Sequence, residues 1–198
     1  MTIETEQPRR EVQHRWLVLD PKKFLAALAD LPAGEISQAR HIEDWFWFRD
    51  PLKPHAYMRL RREDGARISQ TLKIPAKSPE SRYTESTHLV RGSAMVDMAL
   101  TEGPALAKQR YLVKRSLHGG SLFIDLFEGR HAGLIIVECH DPDGPVTEAD
   151  LPGWMQACRP INVTHSLTSA TLSRLPILEG DAADPAFASR LLGMIGHQ

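Results

Sequence analysis

Residues 57–73, YMRLRREDGARISQTLK, contain an alternating run, a turn signal and a second alternating run. Tyr57, Arg59 and Arg61 fall on one side of a strand, and Met58 and Leu60 on the other. Asp64-Gly65 is a hairpin signal, because a tight two-residue turn needs positive φ that Asp and Gly tolerate. The return strand, ARISQTLKI, brings Arg67, Ser69, Thr71 and Lys73 to one face. Two antiparallel strands carrying cations on a shared face set the terms for reading the rest of the chain.

The same signals recur outward. EVQHRWLVLD at 11–20 alternates, with Glu11, Gln13 and Arg15 opposite Val12, His14, Trp16 and Val18. Asp20 then caps a helix that Pro21 opens. ISQARHIEDWFWF at 36–48 reads as one or two strands, its aromatics Trp45, Phe46, Trp47 and Phe48 as core. RYTESTHLV at 82–90 is a strand and AMVDMAL at 94–100 a short helix. KQRYLVKRSL and SLFIDLFEG are strands separated by His118-Gly119-Gly120, and LIIVECHD at 134–141 is the most apolar strand. Cys139 falls on its core side. LPGWMQACR reads as a short helix, 161–175 fits either strand or helix, and Asp184-Pro185 starts a final helix. The expected architecture is mainly β (α+β): a closed or nearly closed antiparallel barrel of about eight strands, with helices packed outside. A polar tail spans 1–10, a single domain 11–175, and a helical extension 176–198.

Composition sets bounds. The chain has 198 residues, 42% hydrophobic and 25% charged, so one ordinary domain is expected. Two cysteines, Cys139 and Cys158, suit a reducing, cytoplasmic setting better than a disulfide framework. Mean hydropathy is -0.30 and no apolar run approaches a membrane span of about 20 residues. A net charge of -1 argues against a general coat for nucleic acid. Recognition of an anion would have to come from where the charges are placed.

One face of each strand gathers Arg15, Arg59, Arg61, Lys73, Lys108 and Arg110, with Glu11, Glu85, Asp125 and Glu138 among them. Enclosed cations repel one another and lose hydration unless an anion joins them. Arg suits bidentate phosphate recognition and Lys supplies a point charge. Carboxylates alongside are oxygen ligands suited to Mg²⁺ or Mn²⁺. A lipocalin-like barrel, with its apolar lumen, does not match this face.

In this order the residues resemble the CYTH superfamily, the triphosphate tunnel metalloenzymes. Glu11-Val-Gln-His-Arg15 resembles its ExExK strand, Arg59-Leu-Arg61 its RxR strand and Thr71-Leu-Lys73 its TxK strand. Glu85, Lys108-Gln-Arg110-Tyr111, Ile124-Asp125-Leu-Phe127 and Gly133-Leu-Ile-Ile-Val-Glu138 follow in family order. Pro152-Gly-Trp154 and Val163-Thr164 resemble its closing elements. The resemblance implies a tunnel in which Arg15, Arg59, Arg61, Lys73, Lys108 and Arg110 bind the phosphates of a triphosphate-bearing small molecule or polyphosphate. It implies Mg²⁺ or Mn²⁺ held by Glu11, Glu85, Asp125 and Glu138, with Gln13 and His140 at two further ligand positions. Some members are triphosphate hydrolases and some are adenylate cyclases. The departures fall on the acidic set: Gln13, Thr87, His140 and Asn162 stand where the family has glutamates, and Arg15 replaces a lysine. Two functions follow, a metal-dependent triphosphatase or a non-catalytic polyanion- or nucleotide-binding module. Monomer and homodimer are both left open.

Overall fold

The computed structural model describes residues 9–10, 13–48, 56–75, 83–90, 94–156, 160–163 and 167–174. In chain order these hold β1 (Arg9–Arg10), β2 (Gln13–Val18), α1 (Pro21–Ala29), β3 (Arg40–Phe48), β4 (Tyr57–Glu63), β5 (Arg67–Pro75) and β6 (Tyr83–Leu89). There follow α2 (Ala94–Glu102), β7 (Leu106–Leu117), β8 (Gly120–Phe127), β9 (Ile135–His140), α3 (Gly153–Gln156), β10 (Pro160–Asn162) and α4 (Ser169–Leu172). The chain forms two compact units, one from 1–12 and 40–107, the other from 13–39 and 108–198.

The first unit carries the strand order β1-β6-β5-β4-β3, with antiparallel pairing throughout. Its centre is the expected hairpin. Asp64 and Gly65 take φ of 49° and 72°, the left-handed pair that lets β4 return directly as β5. Pairing sets Arg59 opposite Thr71, Arg61 opposite Ser69 and Tyr57 opposite Lys73. The side chains of each pair share one face, so Arg59, Arg61 and Lys73 lie together as the alternation predicts. The other face buries Trp45 and Leu60 against Val96 and Ala99 of α2, with Trp47, Ile68 and Val90 at the margin. Residues 45–47 of the aromatic run are therefore split between faces. Phe46 leaves the core cluster and meets the Tyr57 ring at 5.7 Å.

The second unit carries the order β7-β8-β9-β2-β10, also antiparallel. Trp16 and Val18 of β2 turn inward with Ile124 of β8 and Val137 and Cys139 of β9. Helix α1 closes over them through Phe24, which tilts against Trp154 at 5.4 Å. Its start follows from the cap: the Asp20 carboxylate accepts from the Lys23 amide at 2.9 Å. Burial pushes the Cys139 thiol up to about 11, so it behaves as a core residue and not as a nucleophile. Gly120 begins β8 where a Cβ would meet the His140 carbonyl at 2.7 Å, so no side chain fits there.

The antiparallel, mainly β architecture with a few helices is as expected. No backbone ladder among the described residues closes the sheet into a barrel. The ambiguous 161–175 stretch supplies part of the short strand β10 and the one-turn helix α4. Arg9 and Arg10, within the expected polar tail, form β1 and pair with Glu85 and Thr84. Glu11, Cys158 and the expected helix after Asp184-Pro185 lie outside the described residues. No described helix is long and apolar enough to cross a membrane.

Candidate functional site

The charged face of the second unit is positioned by register. Arg15 of β2 lies opposite Glu138 of β9, and Gln13 opposite His140. Phe123 of β8 lies opposite Glu138, and Arg110 of β7 opposite Asp125 of β8. Alternation sends their neighbours Trp16, Val137, Ile124 and Tyr111 to the apolar cluster behind. A row of opposite charges thus stands on the face that the core does not use.

These side chains form one connected mesh. Arg110 sends Nε to Asp125 Oδ1 and Nη2 to Oδ2, both at 2.6 Å, and Nη2 also reaches Glu138 Oε2 at 2.6 Å. Lys108 Nζ donates to Asp125 Oδ2 at 2.5 Å. Arg15 Nε donates to Glu138 Oε1 at 2.8 Å. Asp125 is fully buried and Lys108 is 1% exposed, so these contacts are made out of water. Burial alone would push the Asp125 carboxyl up, but the charges of Arg110 and Lys108 outweigh it and hold the group below its ordinary range. Glu138 is held further down: Arg110, Arg15 and a hydrogen bond from His140 overcome its burial. Both are carboxylates at neutral pH.

His140 and Phe123 complete the face. His140 Nε2 donates to Glu138 Oε2 at 2.9 Å, and the Gln13 amide nitrogen lies against the same ring, 3.2 Å from Nε2 and 3.5 Å from Nδ1. The Phe123 ring lies 4.9 Å from the His140 ring, edge on, and 5.0 Å from the Arg110 guanidinium. Phe123 escaped the sequence reading; its even spacing from Asp125 is the signal that places it on the charged face.

The first unit has its own charged face. Arg61 binds Asp44 through Nε at 2.8 Å and Nη2 at 2.9 Å, and Asp44 is fully buried. Arg59 Nη2 donates to Thr71 Oγ1 at 3.2 Å, and Thr71 meets Thr87 at 3.1 Å. Lys73 is 5% exposed and lies opposite Glu85 in register. The Glu85 side chain lies outside the described residues. On the opposite face Arg62 pairs with Glu43 at 2.5 Å and covers the Trp45 ring. Asp44 also escaped the sequence reading, although it sits where β3 must face Arg61.

Of the residues expected to bind phosphate, the structure brings Arg15, Lys108 and Arg110 together in one unit and Arg59, Arg61 and Lys73 in the other. Of the residues expected to hold Mg²⁺ or Mn²⁺, it brings Asp125, Glu138, Gln13 and His140 onto the face with the first three. Glu11 and the Glu85 side chain, the other two expected ligands, lie outside the described residues. The Asp125 and Glu138 carboxylates each offer about four lone-pair positions, and three on each are taken by the contacts above. No group of three His, Cys, Asp or Glu among the described residues is arranged to hold a metal ion.

Comparison with known proteins gives the fold a context. No family model matches the chain, and no curated protein matches its sequence. Solved structures do match. HpAC1 from Hippeastrum, named for adenylyl cyclase and described as having a dominant triphosphatase activity, superposes with a TM-score of 0.59. That match is 14% identical and covers 85% of this chain and 99% of the other. The inorganic triphosphatase NE1496 matches with a TM-score of 0.50 at 20% identity, over 85% of this chain and 97% of that one. The resemblance read in the strand motifs thus meets these matches at the level of fold: the chain shares the fold of these two structures.

Proposed function

We propose that the chain binds a triphosphate-bearing small molecule or a polyphosphate through its basic strand faces. The observation that carries this reading is the mesh of the second unit, where Arg15, Lys108 and Arg110 are concentrated on one buried face around two shared carboxylates. Cations gathered on one strand face draw anions toward it. Guanidinium groups present planar pairs of donors to phosphate oxygens, and Lys108 adds a compact charge. Arg59, Arg61 and Lys73 are proposed as further phosphate ligands.

A second reading, hydrolysis, is favoured by a separate observation: the two matched structures are described as triphosphatases. Hydrolysis would use the same cations to stabilise charge on the transferred phosphoryl group. A phosphate-release screen with tripolyphosphate, nucleoside triphosphates and thiamine triphosphate, each with Mg²⁺, Mn²⁺ and chelator, separates the two. Tripolyphosphate should also raise Tm, by linkage, and less so in high salt. No rise at millimolar ligand and low salt would remove the binding reading.

A further inference from the structure

Asp125 and Glu138 have a role other than the one the resemblance implies. We propose that they are built-in counter-ions for Lys108, Arg110 and Arg15, and that this face takes up a phosphate-type anion without a divalent cation. The anion half of the proposal rests on the function proposed above; the counter-ion half does not.

The argument is one of occupancy and sign. Asp125 Oδ1 accepts from Arg110 Nε, and Oδ2 from Arg110 Nη2 and Lys108 Nζ. Glu138 Oε1 accepts from Arg15 Nε, and Oε2 from Arg110 Nη2 and His140 Nε2. Inner-sphere binding of Mg²⁺ needs short, near-octahedral contacts to oxygen lone pairs. On these oxygens such contacts would displace buried cations, which would then lose their counter-charge. The arriving ion would also add two positive charges beside three existing ones. An anion meets the opposite condition. Arg15, Lys108 and Arg110 are the groups that such an anion would meet on this face. The carboxylates let the cations be assembled on a buried face before ligand arrives, which preorganises the donors. In this role Asp125 and Glu138 position other groups and touch no metal.

The two roles predict opposite signs. Mn²⁺ is added to the full chain alone and bound ion is read by electron paramagnetic resonance. The expected result is no ion bound at micromolar concentration; bound ion that Glu138→Gln abolishes would overturn the counter-ion role. Tripolyphosphate is then titrated by calorimetry in chelator and in excess Mn²⁺. Affinities are expected to agree within about fivefold, and a larger gain with Mn²⁺ would overturn metal independence. Glu138→Gln keeps an acceptor oxygen and removes a negative charge. In chelator it should weaken tripolyphosphate by about threefold, because Arg15 and Arg110 lose the charge that assembles them, whereas tighter binding there would overturn the proposal. If tripolyphosphate binds under neither condition the proposed function fails, while the Mn²⁺ spectra of the natural chain still decide the role of the carboxylates.

Discussion

In the first unit Arg61 and Asp44 meet across β3 and β4 as a two-bond fork. In the second, Arg110 divides its donors between Asp125 and Glu138, and each carboxylate takes a further cation from Lys108 or Arg15. The difference lies in how many charges depend on one carboxylate. In the fork, Arg61 spends two donors on the two oxygens of Asp44. In the mesh, each acid meets two bases among the described residues, so each is indispensable to more than one neighbour. A fork suits a structural tie. A mesh keeps several cations close together and suits a face that must receive negative charge from outside.

The largest expected effect tests that dependence. Asp125→Asn removes the charge that offsets Lys108 and Arg110 on a fully buried site. Losing one partner of a buried ion pair costs about 3–5 kcal/mol, and here Lys108 and Arg110 each lose a contact. Asp44→Asn strips Arg61 of a single fork and should cost less. Urea unfolding of both variants checks the order, with the midpoint shift read at constant m-value. Equal losses, or a larger one at Asp44, would erase the distinction between fork and mesh.

The next effect is on binding. Arg110→Ala should weaken tripolyphosphate by about tenfold or more, since charge-assisted contacts to phosphate are worth about 1.5–3 kcal/mol each. Arg61→Ala should weaken it less and lower stability more, because that guanidinium is turned onto Asp44 through Nε and Nη2. Calorimetry paired with thermal unfolding gives both quantities for each variant. A reversed ranking would make the first unit the principal anion-binding face.

Much of this was legible in the chain, and the gaps have physical causes. Residues 57–73 read correctly because alternation and turn chemistry agree there: the strands, the hairpin and the faces of Arg59, Arg61 and Lys73 all follow. The cap at Asp20 is equally local. Asp44 stayed hidden because its partner is set by the β3–β4 register, which a run of four aromatics obscures. Residues 161–175 resisted because three-residue β10 and four-residue α4 are too short to show a period. Spacing put Asp125 and Glu138 on the right face, yet face and residue type do not say which oxygens are occupied. The distances to Lys108, Arg110 and Arg15 show that occupancy, and on it the counter-ion proposal rests.

The smallest effect concerns pH, and it separates the mesh from a neighbour on its own unit. His131, in the turn between β8 and β9, is 4% exposed and meets the Leu172 carbonyl through Nε2 at 2.9 Å. Burial and the nearby Arg130 charge lower its pKa, against a smaller opposing pull from that hydrogen bond. The folded chain therefore binds fewer protons at His131 than the unfolded chain does. Stability from this group is complete above the unfolded pKa of about 6.5 and falls as pH drops through the folded value. Asp125 and Glu138 are lowered too, and their contribution is lost in a separate window, below the ordinary carboxylate range of about 4. Stability should thus decline in two stages, with His131 responsible for the upper one. His131→Gln keeps an N–H donor for Leu172 and cannot titrate, so it should flatten the curve in the window that opens below about pH 6.5 and leave the acid limb in place. The expected difference is about 2–4 °C in Tm at the bottom of that window. An upper stage that persists in His131→Gln would assign it to another histidine.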